Sequence, residues 1–199
     1  TKDKLVAVSS IADVYSFDLN THSLSKDRLY PDSLNVRALA LVADTVFTLS
    51  IGSPAYLYKN SELVYHENDS AVFYDSMDFW NSKEGIVLGD PIDGCLSILI
   101  TRDGGNTWRK TPCASLPKTI NGEAAFAASD TNISIVGNKA WIASGGVASR
   151  VFFQMINDIR GRFLIPQLFK VCLLVACTVL IFIIKLRVLL LEEIIPNLN

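Results

Sequence analysis

The sequence is poor in the residues from which most catalytic and metal-binding motifs are built. Its 199 residues include two histidines and four cysteines, and these do not have the spacing of a zinc or haem site. His22 and His66 lie in unrelated turn and strand contexts, so we interpret both as surface residues. The sequence contains neither a Gly-x-Ser-x-Gly elbow nor a Gly-rich loop between a strand and a helix. We therefore expect no metal, no cofactor and no dinucleotide-dependent activity.

An excess of basic charge is also missing. The 18 lysines and arginines are offset by 20 aspartates and glutamates, which leaves a formal net charge of −2. A nucleic-acid-binding surface normally needs a basic face, so nucleic acid is excluded as an expected partner.

A helical period is missing from the sequence up to about Arg150. Short apolar, β-branched and aromatic runs of strand length take its place, with Gly, Pro, Asn and Asp turn clusters between them. The runs are Leu5–Val8, Val14–Leu19, Val36–Val42, Val46–Ile51, Ala55–Tyr58, Leu63–His66, Ala71–Tyr74, Gly85–Leu88 and Leu96–Thr101. The pattern predicts an all-β class.

Three stretches of this region resemble one another, beginning at Val36, Tyr74 and Gly122. Each has a charged residue, an apolar strand, a polar turn, a second strand, a Gly-containing turn and a third strand. A repeat of roughly 35 to 50 residues is typical of the four-stranded blades of a β-propeller. We expect about three blades, with part of another in the first thirty residues. Three blades are too few to close a ring, so this partial β-propeller is expected to be an open arc with exposed blade faces.

One short motif is specific. Residues 101–108 read TRDGGNTW and match Ser/Thr-x-Asp-x-Gly-x-Thr-Trp, the Asp-box, at every fixed position: Thr101, Asp103, Gly105, Thr107 and Trp108. A short carboxylate accepts hydrogen bonds from turn N–H groups, and glycine adopts positive φ at little cost, so the motif predicts a hairpin turn. The chain resembles the Asp-box (BNR-repeat), sialidase-like propellers. In that family the motif lies on the periphery, which makes it a marker of fold and not of activity.

A second resemblance covers roughly Val36 to Phe153. Runs such as SIGSPAYLYKN and VFYDSMDFWNSKEGIVLGDPIDGCLSILITRDGGNTW are similar to bacterial propeller proteins that carry the label "oxidoreductase" and are related to photosystem II assembly-factor propellers. The label has no support in a dinucleotide, haem or metal motif. The resemblance implies a periplasmic or secreted propeller. The sequence starts at Thr1, which fits either a mature secreted chain or a piece of a longer protein.

Alignment of the repeats places Arg37, Asp75 and Glu123 at the same point, just before or at the start of the first strand of each unit. First strands are innermost in a propeller, so we predict that these charges converge on the central channel as a binding site. Asp78, Arg150, Asp90 and Asp93 are candidates to join them. The alternative is that charges at strand ends merely solvate the mouth of the channel.

A sialidase would need an arginine cluster, a Tyr–Glu nucleophile pair and an acid. The candidates are Arg28, Arg37 and Arg150, with Tyr74 and Glu123 as the pair. The Arg-Ile-Pro type motif of that family is missing. We therefore expect a non-enzymatic binding module and, if the protein is an enzyme, a glycosidase rather than an oxidoreductase.

Cys95 and Cys113 flank the Asp-box almost symmetrically, with Gly104 at their midpoint. A hairpin would bring them opposite or nearly opposite each other, at a distance that suits a disulfide. Two buried free thiols are an equal alternative. Cys172 and Cys177 lie in an apolar tail, where we expect them to behave as small hydrophobes.

That tail is a different kind of sequence. From Val171 to Ile184 it has no charged residue, and Lys170 and Lys185 flank this run. The length suits one transmembrane helix, although an aberrant, frame-shifted end is an equal alternative. We divide the chain into a partial Asp-box propeller (1–153), a linker (154–167), this C-terminal apolar helix or aberrant tail (168–191) and a final tail (192–199).

The functional expectation is a binding or scaffold propeller that acts outside the cytoplasm, with the C-terminal segment as a membrane anchor. Its expected partner is a protein or a glycan. A sialidase-like glycoside hydrolase and an assembly protein for a membrane complex are the alternatives. Neither the ligand, the total blade number nor the membrane orientation follows from the sequence.

Overall fold

The computed structural model describes residues 3–28, 34–125, 132–148, 150–155 and 163–164, with only the backbone for 154, 155, 163 and 164. The predicted membrane segment (168–191), with Cys172 and Cys177, lies outside these residues. Within them, no helix is long and apolar enough to cross a bilayer.

The described residues form antiparallel sheets whose strands follow one another along the chain. The first sheet has three strands: β1 (Lys4–Val8), β2 (Asp13–Asp18) and β3 (Leu24–Arg28). The second has four: β4 (Val36–Val42), β5 (Thr45–Ser50), β6 (Ala55–Lys59) and β7 (Glu62–Glu67). The third has four: β8 (Tyr74–Phe79), β9 (Gly85–Ile92), β10 (Cys95–Thr101) and β11 (Arg109–Lys110).

A short 3-10 turn (Cys113–Ser115) follows the third sheet. Next comes a two-stranded ribbon of β12 (Glu123–Ala124) with β15 (Gly145–Gly146). The fourth sheet contains β13 (Ile133–Val136), β14 (Lys139–Ala143), β16 (Val151–Met155) and β17 (Phe163–Leu164). The all-β class is confirmed, and this arrangement of sheets of three and four strands is that of a partial propeller.

The first strands of successive sheets lie side by side: β1 contacts β4, β4 contacts β8, and β8 contacts β13. Apolar side chains fill the spaces between the sheets, because each interior sheet is apolar on both faces. Phe47 and Leu49 of the second sheet pack on Tyr74 and Val87 of the third. Ile86 and Ile98 of the third sheet pack on Ile133, Ile142 and Phe152 of the fourth. The stacking thus places the inner strands of neighbouring sheets next to one another.

The observed elements differ from the sequence prediction in several places. Strand β3 was not predicted, because all five of its residues are exposed and it carries no apolar alternation. Strand β8 begins at Tyr74, where the predicted strand ended, because two aspartates interrupt its apolar pattern. Strand β17 lies inside the predicted linker and pairs with β16, so the fourth sheet extends beyond residue 153.

Candidate functional site

Arg37 and Asp75 occupy the same structural position in successive sheets, as the alignment predicts. Each is the extra residue of a β-bulge in the first strand, between Val36 and Ala38 in β4 and between Tyr74 and Ser76 in β8. A bulge residue is unpaired in the ladder and re-aims its side chain. The two environments differ, since Arg37 is exposed and Asp75 is completely buried.

Glu123 lies in β12, where it pairs with Gly146 of β15, and β13 begins ten residues later, at Ile133. Residues 126–131, between these two strands, lie outside the described part of the chain. The equivalence of Glu123 with Arg37 and Asp75 therefore stays a prediction.

Glu123 is the centre of a buried ion pair with Arg150. The Arg150 guanidinium donates through Nε to Oε1 (2.9 Å) and through Nη2 to Oε2 (2.5 Å), which is a bidentate contact. The Ser144 hydroxyl also donates to Oε1, and the Ile120 N–H donates to Oε2 at 2.9 Å. Burial opposes ionisation, but these bonds, led by Arg150, hold the pKa of Glu123 below its usual range. Both charges are therefore neutralised within the fold.

Asp75 is a buried acid for which the structure gives no hydrogen-bond partner. Both carboxylate oxygens are inaccessible to solvent, as is the equally unpartnered hydroxyl of the neighbouring Ser76. Burial, and to a smaller extent the carboxylate of Asp90, raises the pKa of Asp75 to about 8. Asp90 accepts a hydrogen bond from the Ala125 N–H at 2.8 Å. At neutral pH Asp75 is therefore mostly protonated and is not a free anion at the channel.

The remaining predicted residues lie elsewhere. Asp78 is near the far end of β8 and accepts a hydrogen bond from the Phe79 N–H at 2.8 Å. Asp93 is at the tip of the β9–β10 hairpin with positive φ. The structure thus joins Glu123 with Arg150 and places Asp75 near Asp90, but it does not gather all the predicted charges into one cluster.

A groove lies between the ends of β4 and β8, and we call it the β4–β8 groove. Its volume is about 490 Å³. It is lined by Leu39, Ala40, Leu41, Val42, Ala43, Met77, Asp78, Phe79, Asn81 and Ser82. Of the predicted binding residues, Asp78 lines it. Sequence reasoning missed the groove because its walls come from two strands about forty residues apart.

The residues proposed for a sialidase do not come together. The Tyr74 hydroxyl donates to Glu67 at 2.7 Å, not to Glu123, and Tyr65 donates to the same Glu67 oxygen at 2.8 Å. Lys110 completes this network through the other Glu67 oxygen. Burial raises the pKa of Tyr65 to about 12 and that of Tyr74 further, so both stay protonated donors.

The third predicted arginine, Arg28, lies in the first sheet. Its Nε is 3.3 Å from Asp13 Oδ1. Arg28 thus pairs within its own sheet, whereas Arg150 pairs with Glu123 and Arg37 is exposed on β4.

The Thr101–Trp108 segment forms the predicted turn, between β10 and β11. Asp103 Oδ1 accepts from the Thr101 hydroxyl and the Thr107 N–H, both at 2.9 Å, and its Oδ2 accepts from the Thr107 hydroxyl at 2.6 Å. Burial acts in the opposite direction, but these bonds lower the pKa of Asp103. The Gly105 N–H donates to Thr101 Oγ1 at 2.9 Å.

This turn also packs against the preceding sheet. Gly105 has a φ of 76°, and a Cβ there would lie 2.3 Å from the Phe47 ring of β5. Trp108 is buried, with its ring edge-to-face on Phe79 at 5.8 Å. The Lys59 ammonium donates to Asn106 Oδ1 at 2.6 Å. The turn therefore joins two neighbouring sheets.

Cys95 and Cys113 form a disulfide, with Cα atoms 5.7 Å apart. Cys95 is the first residue of β10 and is buried, whereas Cys113 begins the 3-10 turn and is partly exposed. The bridge therefore ties this turn to the β9–β10 hairpin. The two histidines are exposed, and no group of three or more metal-ligating side chains occurs in the described part of the chain.

Comparison with known proteins identifies the fold but no family. No protein-family model and no curated protein matches the sequence. The designed protein Ika8 matches with a TM-score of 0.54 and 14% identity, over 85% of this chain and 48% of that one. The designed protein Ika4 matches with a TM-score of 0.50 and 14% identity, over 79% of this chain and 88% of that one.

A structure of YCF48 bound to a D1 peptide has a TM-score of 0.49 and 13% identity, over 77% of this chain and 47% of that one. The chain thus spans about half the length of Ika8 and of YCF48. The designed neighbours are propellers, and the fold of this chain is β-propeller-like.

Proposed function

We propose that the chain is part of a non-enzymatic binding propeller, and that the β4–β8 groove takes up an extended segment of a partner protein. The observation that carries the proposal is the position of the groove between two strands that are each terminal in their own sheet. Strand β4 pairs with β5, and strand β8 pairs with β9. Both strands are terminal in the sheets that the structure describes, and an extended peptide is the kind of ligand that adds to the edge of a sheet.

The lining of the groove suits such a ligand. Leu39, Leu41, Val42 and Met77 supply apolar surface, and Asp78 supplies one acidic side chain near the end of β8. Asn81 and Ser82 also line the groove, and its exposed surface is more polar than apolar, which suits the backbone of an extended peptide. Alternate side chains of a bound strand would face the walls of the groove.

The surroundings of the carboxyl and tyrosine side chains support a binding function over glycoside hydrolysis. A retaining glycosidase needs two accessible carboxyl groups or a Tyr–Glu pair beside the substrate. Glu123 is held by Arg150, Tyr74 by Glu67, and Asp75 is inaccessible. A sialidase-like activity and a glycan ligand are therefore not favoured, although the Thr101–Trp108 turn supports kinship with Asp-box propellers.

A location outside the cytoplasm is part of the proposal. Disulfides persist in oxidising compartments, and the Cys95–Cys113 bridge fits the periplasm or the extracellular space. We extend the proposal to anchoring at a membrane through residues 168–191, which lie outside the described part of the chain. A role in assembling a membrane complex is a further part of the proposal.

The groove is tested by selecting peptides from a displayed library of random decapeptides on the purified chain and measuring their binding by fluorescence anisotropy. Ser82→Trp places an indole at the rim of the groove, whereas Ser70→Trp places one at an exposed turn elsewhere. We expect selected peptides to bind the wild type and Ser70→Trp equally, and Ser82→Trp at least tenfold more weakly. Equal binding to both variants, or no enriched peptide, would exclude the groove as the site. Turnover of a fluorogenic sialoside would exclude the non-enzymatic function.

A further inference from the structure

The Cys95–Cys113 bridge differs from a purely structural disulfide in what surrounds its two sulfurs. Cys95 is 5% exposed, whereas Cys113 is partly exposed and lies at the start of a turn. Both line a cavity of about 340 Å³ on the outer side of the third sheet. Cys113 is therefore the more accessible of the two cysteines to a small thiol.

A lysine ammonium lies next to the accessible sulfur. Lys118 Nζ is 3.5 Å from Cys113 Sγ and 3.5 Å from the Asp93 carbonyl oxygen. A nearby cation favours the thiolate over the thiol, and the thiolate is both the nucleophile and the leaving group in disulfide exchange. Asp69, Asp93 and Lys110 also line the cavity, but Lys110 is engaged by Glu67. The Cys113 sulfur is in direct contact with Lys118.

The position of Lys118 does not depend on the S–S bond alone. The Thr119 N–H donates to the Gly94 carbonyl at 2.8 Å, and the Lys118 carbonyl accepts from Arg150 Nη2 at 2.8 Å. These two bonds hold the segment after the 3-10 turn on the β9–β10 hairpin and beside the fourth sheet. The backbone at Lys118 is therefore held near Cys113 by contacts other than the disulfide.

We propose that Cys95–Cys113 is a thiol–disulfide exchange site for a low-molecular-weight thiol, with Cys113 as the reacting sulfur and Lys118 as its positioning residue. An incoming thiolate attacks Cys113 Sγ, the S–S bond breaks, and Cys95 leaves and takes a proton. A second thiolate then attacks the small-molecule sulfur of the mixed disulfide, and Cys113 leaves as a thiolate beside Lys118. The protein disulfide is reduced to two thiols, and two thiols of the small molecule are oxidised to its disulfide.

The reverse sequence restores the bridge. The Cys113 thiolate attacks a small-molecule disulfide and releases one thiolate, and Cys95 then displaces the second thiol from Cys113. Lys118 assists both directions, since it makes Cys113 a better nucleophile near neutral pH and a better leaving group.

The first experiment follows the pH dependence of Cys113 alkylation by iodoacetamide in Cys95→Ser, measured on the tryptic peptide that contains Cys113, which is residues 111–118 with Lys118 present and residues 111–139 in Lys118→Met. We expect a midpoint below the ordinary cysteine pKa of about 8.5. Adding Lys118→Met should return the midpoint to that value, which slows alkylation at pH 7 by about tenfold if the shift is one unit. Lys83→Met, an exposed lysine elsewhere, should leave it unchanged. An identical midpoint with and without Lys118 would overturn the proposal.

The second experiment uses the wild-type chain, so it does not depend on the folding of a cysteine variant. Folded protein is incubated with reduced glutathione, quenched with acid, and digested. We expect the glutathione adduct on the Cys113 peptide and not on the Cys95 peptide. When the reduced chain is reoxidised with oxidised glutathione, where Cys113 is the nucleophile, we expect a slower reaction in Lys118→Met. A bridge that is reduced only after unfolding by urea, or an adduct on Cys95, contradicts the proposed chemistry.

Discussion

At the scale of single residues, the chain places ionisable groups in two opposite kinds of surroundings. Glu123 is buried with a full set of donors, and its pKa falls. Asp75 is buried without a hydrogen-bond donor among the described residues, and its pKa rises to about 8. The same type of group is thus stabilised as an anion in one place and held as a neutral acid in the other. The difference lies in the partners and not in the depth of burial.

Asp75 makes stability depend on pH in a definite direction. Because its pKa is about 8 in the folded chain and near 3.9 when unfolded, its destabilising effect appears as pH rises above about 4 and is complete above about 8. We expect Asp75→Asn to match the wild type at pH 4 and to be increasingly more stable up to pH 8.5. Urea unfolding midpoints across this range measure the difference.

The control for Asp75 is Asp44→Asn, which changes an exposed aspartate of the β4–β5 turn. It should shift the midpoints by the same small amount at every pH. A constant offset for Asp75→Asn would show that this carboxyl is ionised in the folded chain throughout the range.

Thr101 gives a second prediction at this scale. Its hydroxyl is buried, donates to Asp103 and accepts from the Gly105 N–H. Thr101→Val keeps the shape but leaves that N–H without its acceptor, which costs about 1–3 kcal/mol of unfolding free energy. Chemical denaturation measures the loss, and Thr45→Val, at the half-buried start of β5, serves as the comparison. A loss no larger than that of Thr45→Val would mean that the turn does not depend on this hydroxyl.

At the scale of elements, the segment from Cys113 to Ala124 connects the third sheet with the fourth. Its start is bound to β10 by the disulfide, and its end pairs with β15. Between them, Arg150 contacts both the Lys118 carbonyl and the Glu123 carboxylate. A segment with almost no regular structure is thus held by a disulfide, an ion pair and several hydrogen bonds.

We expect Arg150→Met to destabilise the chain by about 3–5 kcal/mol, because it leaves the buried Glu123 carboxylate without its counter-ion. Adding Glu123→Gln should recover much of that loss, since the uncompensated charge is then gone. A double-mutant cycle from urea unfolding at pH 7 measures the coupling, and additive effects would rule out the pairing. The pKa of Glu123 is lowered, so the contribution of the pair is lost as pH falls below about 4.

Strands with an apolar period were predictable, and strands without one were not. Val46–Ile51 and Leu96–Thr101 were expected and correspond to β5 and β10. Strand β3 consists of Leu24, Ser25, Lys26, Asp27 and Arg28, all exposed, and its pairing with β2 is what makes it a strand. The β4–β8 groove was unpredictable for a similar reason, since it exists only where two sheets stack.

At the scale of the whole molecule, the first sheet presents an apolar face to solvent. Leu5 pairs with Phe17 and Phe17 with Leu24, so the three side chains lie in a row across β1, β2 and β3. Leu5 is 59% exposed and Leu24 is 66% exposed. The opposite face packs on the second sheet through Val8. In an interior sheet of a propeller, a row of apolar side chains like this one is buried against the neighbouring sheet.

We expect the chain to self-associate through this face, because exposed apolar patches of soluble proteins drive association. The double variant Leu5→Lys, Leu24→Lys should shift the sedimentation velocity distribution towards the monomer at the same concentration. Leu63→Lys, which changes a leucine on β7 with 46% exposure, should leave it unchanged. Equal distributions for the wild type and the double variant would assign any association to another part of the chain.

The sequence by itself determined the all-β class, the repeat length, the turn at Thr101–Trp108 and the equivalence of Arg37 and Asp75. Each of these follows from short-range patterns: apolar alternation, turn residues and a carboxylate placed to accept nearby N–H groups. The tertiary structure alone decided that Glu123 pairs with Arg150, that Tyr74 binds Glu67, that Asp75 is buried, and that Lys118 lies beside Cys113. Burial and partnership depend on which sheets stack together, and no local pattern records the contacts between residues that are far apart in the chain.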